Sequence, residues 1–205
     1  MSTPRLSRPL CVLALLLPLG LAAVVSGCDG HARALPTLSR VPDLSLTDQR
    51  GEAFHARQLD GSVWVADFIF TRCTSICPLL TTQMSNLQRR FASYGDKLRF
   101  VSISVDPAYD TPAILASYAK DRGANTDNWS FLTGDRDAIE HLLVDGFKVR
   151  MGTRQKDADG NDVDINHSGH FVLVDRTRHI RGYYADDADG IARLRRDLKA
   201  LLDAS

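Results

Sequence analysis

The residues best suited to do chemistry lie in FTRCTSICP, residues 70–78. Cys73 and Cys77 stand four residues apart, after an apolar run and before a proline. Such a pair can be a structural disulfide, a redox couple or the soft half of a metal site. Pro78 disfavours helical backbone at the residue before it and suits the first turn of a helix, so Cys77 is expected as an N-cap. Unpaired amides and the positive end of the helix dipole favour thiolate there, the form that attacks disulfides and binds soft metals. A permanent disulfide closing so small a loop would remove little unfolded-state entropy. A chain of 205 residues can bury a core without it.

Two thiolates do not by themselves separate redox from metal. Soft sulfur selects Cu(I), with zinc the main competitor, and one imidazole would complete a three-coordinate copper site. Of the six histidines, His31 lies in a polar N-terminal stretch and His55 follows a short hairpin pattern. His141 sits mid-helix and His179 in a turn, and all four read as surface or core-edge residues. His167 and His170 fall in INHSGHFVLVD, which leads into a strand expected beside the one that delivers the cysteines. Three apart in extended chain, they point to opposite faces, so at most one reaches the sulfurs. His170 begins the strand and can simply face a helix, whereas His167, in the loop, is freer to swing in. Residue types alone leave the two open.

The elements that must position these groups follow from periodicity. LSLTDQRGEAFHARQL carries a turn at Asp48-Gln49-Arg50-Gly51 and reads as a hairpin. SVWVADFIF (62–70) and LRFVSISV (98–105) are continuous β-prone runs that suit buried central strands. Leu80, Met84, Leu87 and Phe91 form one face of a helix that Gly95 ends. Asp110-Thr111-Pro112 opens a second helix, with Asp110 read as its capping residue. WSFLTG (129–134) is a short strand and DRDAIEHLLVDGF (135–147) a helix. HFVLVD and HIRGYYA pair around Arg176-Thr177-Arg178, and Ile191, Leu194, Leu198 and Leu201 mark a final helix. This alternation predicts an α/β fold with a mostly parallel sheet flanked by helices. The cysteines fall beyond the carboxyl end of a strand, where sites gather in such sheets.

The N-terminus is of another kind. MSTPRLSRPL, the apolar run CVLALLLPLGLAAVV and the ending Val25-Ser26-Gly27-Cys28 read as a signal peptide over residues 1–27. That ending resembles a bacterial lipobox, which would make Cys28 the acylated first mature residue. The alternative is an uncleaved transmembrane anchor. Either places residues 41–205 outside the cytoplasm, on the periplasmic side of a membrane, behind a tether over residues 28–40. Asp29 is a weak cue for the inner membrane. With Cys11 removed and Cys28 lipidated, Cys73 and Cys77 have only each other as partners. Zero net charge gives no electrostatic case for nucleic acid.

Three segments carry a resemblance. FTRCTSICP, VSISVDPAYDTP and INHSGHFVLVD occur in that order and resemble motifs of the Sco (SenC-like) family of copper proteins, which serve cytochrome c oxidase assembly. The resemblance implies a thioredoxin-like fold, with a central mixed sheet and an N-terminal β-hairpin. It implies a copper site, Cu(I) or Cu(II), made by Cys73, Cys77 and His167 rather than His170. The implied partners are the oxidase copper-site subunit, a copper donor protein and a thioredoxin-like reductant that keeps the thiols reduced. If the chain is enzymatic, Cys73 and Cys77 are the redox pair of a thiol-disulfide oxidoreductase. Thioredoxin-like reductases use C-x-x-C with a cis-proline before a late strand, whereas this chain has one residue more and no proline after Pro112. A thiol peroxidase, suggested by VPDLSLTDQRGE, would need a charged activating partner, for which Arg72 is the near candidate.

Three features stand apart from the resemblance. Asp67, inside an apolar strand, is expected to face solvent or pair with a base. KDADGNDVDIN (156–166) lacks the glycine and glutamate positions of a calcium loop and reads as a solvated loop, with partner docking the alternative. Asp106 is either a supporting group beside the cysteines or a turn residue before Pro107.

Overall fold

The computed structural model describes residues 34–43, 45–73, 76–149, 151–156, 162–167 and 169–204, with backbone alone for 151–156 and 162–167. Nine strands and four α-helices are seen among the described residues. The first hairpin pairs β1 (Ser45–Asp48) with β2 (Ala53–His55). Next come β3 (Val63–Ile69), α1 (Cys77–Arg90), β4 (Leu98–Ser104), α2 (Pro112–Asp121), β5 (Trp129–Thr133) and α3 (Arg136–His141). A second hairpin pairs β6 (Met151–Lys156) with β7 (Asp162–His167) and stands apart from the main sheet. The chain closes with β8 (His170–Val174), β9 (Ile180–Ala185) and α4 (Ala188–Asp203).

The main sheet runs β2-β1-β5-β4-β3-β8-β9. Only β3–β4 and β4–β5 are parallel, and the other four pairings are antiparallel. The sheet is therefore mixed rather than mostly parallel. Alternating strands and helices build parallel neighbours only in the middle, and the two terminal hairpins add antiparallel strands on either side. Every residue of β3 is buried, as its unbroken apolar run requires of a central strand. Trp64, Phe68 and Phe147 pack edge-to-face, and Trp129 stacks on Phe131.

Two capping expectations change. The N-cap of α1 is Ile76, so Cys77 is its first helical residue, with Pro78 second. The N-cap of α2 is Thr111, whose side chain accepts from Ile114 N, and not Asp110. Asp187 caps α4 by accepting from Gly190 N at 2.7 Å. The acidic stretch expected as one solvated loop instead contributes Lys156 to β6 and Asp162–Asn166 to β7, and residues 157–161 lie outside the described residues.

Residues 35–41, within and just past the expected tether, run antiparallel along the start of β9. Leu38 N donates to Ile180 O, Ile180 N to Ser39 O, and Val41 N to Arg178 O. Arg181 clamps the strap from its side, donating to the carbonyls of Leu35 (2.7 Å) and Pro36 (2.8 Å) and to Asp175 (2.8 Å). Among the described residues, no helix is long and apolar enough to cross a membrane. The expected signal peptide, Cys28 and Asp29 lie outside the described residues.

Candidate metal centre

β3 delivers its chain to the carboxyl end of the sheet, and residues 70–73 turn there to meet α1. Cys73 N donates to Phe70 O, and Cys77 N donates to Cys73 Sγ at 3.4 Å. Both cysteines are buried thiols. Their hydrogen bond and their burial hold the Cys77 thiol well above the usual range, and the Asp67 carboxylate adds to the effect. This reverses the expectation that the helix start would favour thiolate. A second thiol and burial outweigh the Phe70 backbone hydrogen bond, which pulls the other way. A soft metal entering here must displace protons, because thiolate is the ligating form.

The turn before Cys73 is anchored by two carboxylates of the β4–α2 loop. Asp110, fully buried, accepts from Thr71 N (3.1 Å), Thr71 Oγ1 (2.5 Å) and Ser104 Oγ (2.5 Å). Burial raises its pKa above the ordinary carboxylate value, against the pull of these donors. Asp106, also buried, pairs with Arg72 Nη2 at 2.6 Å, and the guanidinium lies over the Tyr109 ring at 4.2 Å. Asp106 is thus a salt-bridge partner of the residue next to Cys73. Asp110 is the residue whose role the sequence misplaced: its spacing before Pro112 suits a cap, and nothing local reveals the contact with Thr71, thirty-nine positions away.

Asp67 is fully buried rather than solvent-facing. Its Oδ1 accepts from Ser102 Oγ at 2.6 Å, and Ser102 Oγ accepts from Trp129 Nε1 at 3.0 Å. Thr81 donates to Cys77 O and shares a 2.8 Å hydrogen bond with the Tyr118 hydroxyl, whose pKa burial pushes up to about 12. Polar groups therefore continue behind the cysteines into the core.

β8 lies beside β3, as expected, with Trp64 opposite Val174 and Ala66 opposite Val172. The segment bearing the candidate histidines therefore reaches the cysteine end of the sheet. His167 ends β7 opposite Met151, and His170 begins β8 opposite Ala185. His167 thus closes a strand instead of riding in a loop, and its side chain lies outside the described atoms. Of the residues between the two histidines, Gly169 is among those described. A Cβ on Gly169 would stand 2.5 Å from Ile76 Cδ1, so this glycine packs directly on the residue before Cys77. Among the described side chains, no group of three histidines, cysteines or carboxylates is assembled to hold a metal. His55, His141 and His179 lie away from the pair: His55 ends β2, His141 pairs with Asp145, and His179 bonds Thr177. His31 is outside the described residues.

The model of the SCO1/SenC family matches residues 35–203. The chain belongs to the SCO1/SenC family. It is 35% identical over 148 residues to the SCO1 protein homolog of Bacillus subtilis (strain 168), covering 72% of this chain and 74% of the relative. Among solved structures it superposes on a SCO1/SenC family lipoprotein from Bacillus anthracis str. Ames with a TM-score of 0.72 and 30% identity, covering 82% of this chain and 98% of that one. BsSco, described as a Sco-family cytochrome c oxidase assembly protein with a disulfide switch, matches at 0.69 and 29%, covering 84% and 98%. Bradyrhizobium japonicum ScoI, solved with copper bound, matches at 0.68 and 25%, covering 80% and 99%. The thioredoxin-like mixed sheet with its N-terminal hairpin is the fold of these proteins.

Proposed function

We propose that this chain binds one copper ion through Cys73 Sγ, Cys77 Sγ and the His167 imidazole, and passes it to the copper site of a cytochrome c oxidase subunit during assembly. The observation that carries the reading is the meeting of two buried thiols, linked by the Cys77 N–H donating to Cys73 Sγ, with the histidine segment, through Gly169 on Ile76. Two thiolates and an imidazole are a donor set for Cu(I), and a Sco relative is known with copper bound. In an oxidising compartment the pair needs a thioredoxin-like reductant, and loading needs a copper donor protein. The lipoprotein relative supports acylation at Cys28 and a periplasmic, membrane-anchored position for the domain.

A second reading has its own support. The 3.4 Å contact from Cys77 N to Cys73 Sγ shows how closely the two residues approach, and BsSco carries a disulfide switch. As a reductase, one thiolate would attack a partner's disulfide and the other would resolve the mixed disulfide. The partner leaves as a dithiol, and Cys73–Cys77 leaves as a disulfide.

Metal analysis decides between them. The reduced protein should take up about one equivalent of copper, the capacity of a single two-thiolate, one-imidazole site. Cys73→Ala or Cys77→Ala should abolish uptake, and His167→Ala should weaken it while His170→Ala does not. Wild type that binds no copper yet reduces disulfides catalytically would replace the first reading with the second.

A further inference from the structure

Arg72 stands directly before Cys73, yet its guanidinium is committed to two groups of the β4–α2 loop. Nη2 pairs with Asp106 Oδ2 at 2.6 Å, and the cation lies 4.2 Å from the centre of the Tyr109 ring. The Asp106 side chain is 2% exposed and that of Arg72 28%, so the pair is largely withdrawn from water and weakly screened. Asp106 N also donates to Ser104 Oγ, and Ser104 donates to Asp110, so this loop is held in place from both ends. Asp106 lies at the cysteine end of the sheet, because the preceding Val105 N donates to Ile69 O at the end of β3. It does not form with the two thiols a group able to hold a metal.

We propose that Arg72 sets the oxidation-state preference of the copper site, by holding the Asp106 carboxylate out of coordination and cancelling its charge. The proposal rests on the copper-binding reading above. Two thiolates and an imidazole satisfy Cu(I), whereas Cu(II) prefers a fourth, harder donor in a tetragonal arrangement. Asp106 is an oxygen donor of that kind at this end of the sheet. Two features make Arg72 a good restraint. Its Nη2 grips Asp106 Oδ2 at 2.6 Å, and the exposed Tyr109 ring lies against the guanidinium at 4.2 Å. With Arg72 present the site faces a neutral pair. Without it the site gains a negative charge and a candidate ligand, and both favour Cu(II) over Cu(I).

The test loads the reduced full-length protein with Cu(I) or with Cu(II), each against a chelating competitor, and records the Cu(II) EPR spectrum. Arg72→Gln should raise the ratio of Cu(II) to Cu(I) affinity by at least about tenfold, the equivalent of about 1.4 kcal/mol. Its EPR spectrum should move toward more oxygen coordination. Arg72→Gln/Asp106→Asn should return both ratio and spectrum toward wild type, because the freed carboxylate is gone. Asp106→Asn alone leaves an uncancelled cation beside the metal, so the ratio should fall below wild type. It also serves as the readout if Arg72→Gln does not fold. An unchanged ratio and spectrum in Arg72→Gln, or the same rise in the double variant, overturns the proposal. Failure of wild type to bind copper in either state overturns the underlying reading instead.

Discussion

At one edge of the sheet Arg181 spans Asp175 and the carbonyls of Leu35 and Pro36, while at the cysteine end Arg72 spans Asp106 and the ring of Tyr109. The ion pairs themselves are alike, at 2.8 and 2.6 Å. What differs is what each arginine does with its remaining donors and faces. Arg181 donates to main-chain oxygens and fastens one stretch of backbone to a strand. Arg72 presents one face to an exposed aromatic ring and joins two loops that meet beside a thiol. The first pair is a staple, whereas the second sets the electrostatics of a site. Asp110 and Asp175 extend the contrast. Burial raises the pKa of Asp110 despite its three hydroxyl and amide donors. Burial acts on Asp175 too, but Arg181, Thr177 and the amides of His179 and Thr177 outweigh it and hold its pKa below the ordinary value.

The largest expected effect is at the cysteine end. Asp110→Ala would strand Thr71 N–H and two hydroxyls in a buried space, costing about 2–4 kcal/mol of stability, in the range for breaking a buried network. Urea unfolding measures it, and copper affinity should fall as well, since Thr71 is two residues from Cys73. A loss below 1 kcal/mol, about that of a surface change, would mean that the cysteine loop is held by something else. Arg181→Ala comes next, at about 1–2 kcal/mol for lost contacts at a partly exposed site, with copper affinity unchanged. Amide exchange over residues 35–41 should accelerate in that variant. If copper affinity fell too, the two ends of the sheet would be coupled and the comparison would fail.

Acidification separates the two carboxylates by sign. Asp175 has a lowered folded pKa, so its stabilisation is present above the unfolded carboxylate value and is lost as pH falls through the folded pKa. Asp110 has a raised folded pKa, so the stability linked to its protonation is present below the unfolded value and is lost as pH rises through the folded pKa. The penalty of Asp175→Asn should therefore shrink as pH falls below about 4, the ordinary carboxylate value. The penalty of Asp110→Asn should shrink in the opposite direction, as pH rises above that value. Melting temperatures across pH 2–7, about the span of these titrations, would show parallel curves if both groups were ordinary surface acids.

Sequence and structure agree most where one chemical pattern has one geometric solution. The buried β3 run, the helix face at Leu80, Met84 and Leu87, and the cysteines beyond a strand end were all legible, because burial dictates apolar period and strand ends collect sites. The illegible features are long-range polar contacts. Nothing around Asp110 separates a cap from a buried anchor, because both want a carboxylate before a helix, and only the fold brings Thr71 to it. The state of the Cys77 thiol is illegible for a related reason. A helix start speaks for thiolate, but the hydrogen-bonded neighbour and the loss of water that reverse it are tertiary facts. The strap along β9 is equally illegible, because short, polar, small residues look alike as tether and as edge pairing.

The smallest stability effect belongs to Gly169, and it bears on how the histidine segment is placed. An alanine Cβ there would stand 2.5 Å from Ile76 Cδ1, the far end of a flexible side chain, so the cost to folding should stay near 1 kcal/mol. The same contact would shift Gly169 relative to the residue preceding Cys77. Unlike the cysteine loop, which two carboxylates hold, Gly169 meets the residue before Cys77 by close packing. Gly169→Ala should therefore weaken copper binding severalfold with little change in melting temperature, whereas Asp110→Asn should move both together. If Gly169→Ala kept wild-type copper affinity, the histidine would not depend on this contact, and the hairpin β6–β7 would be what positions it.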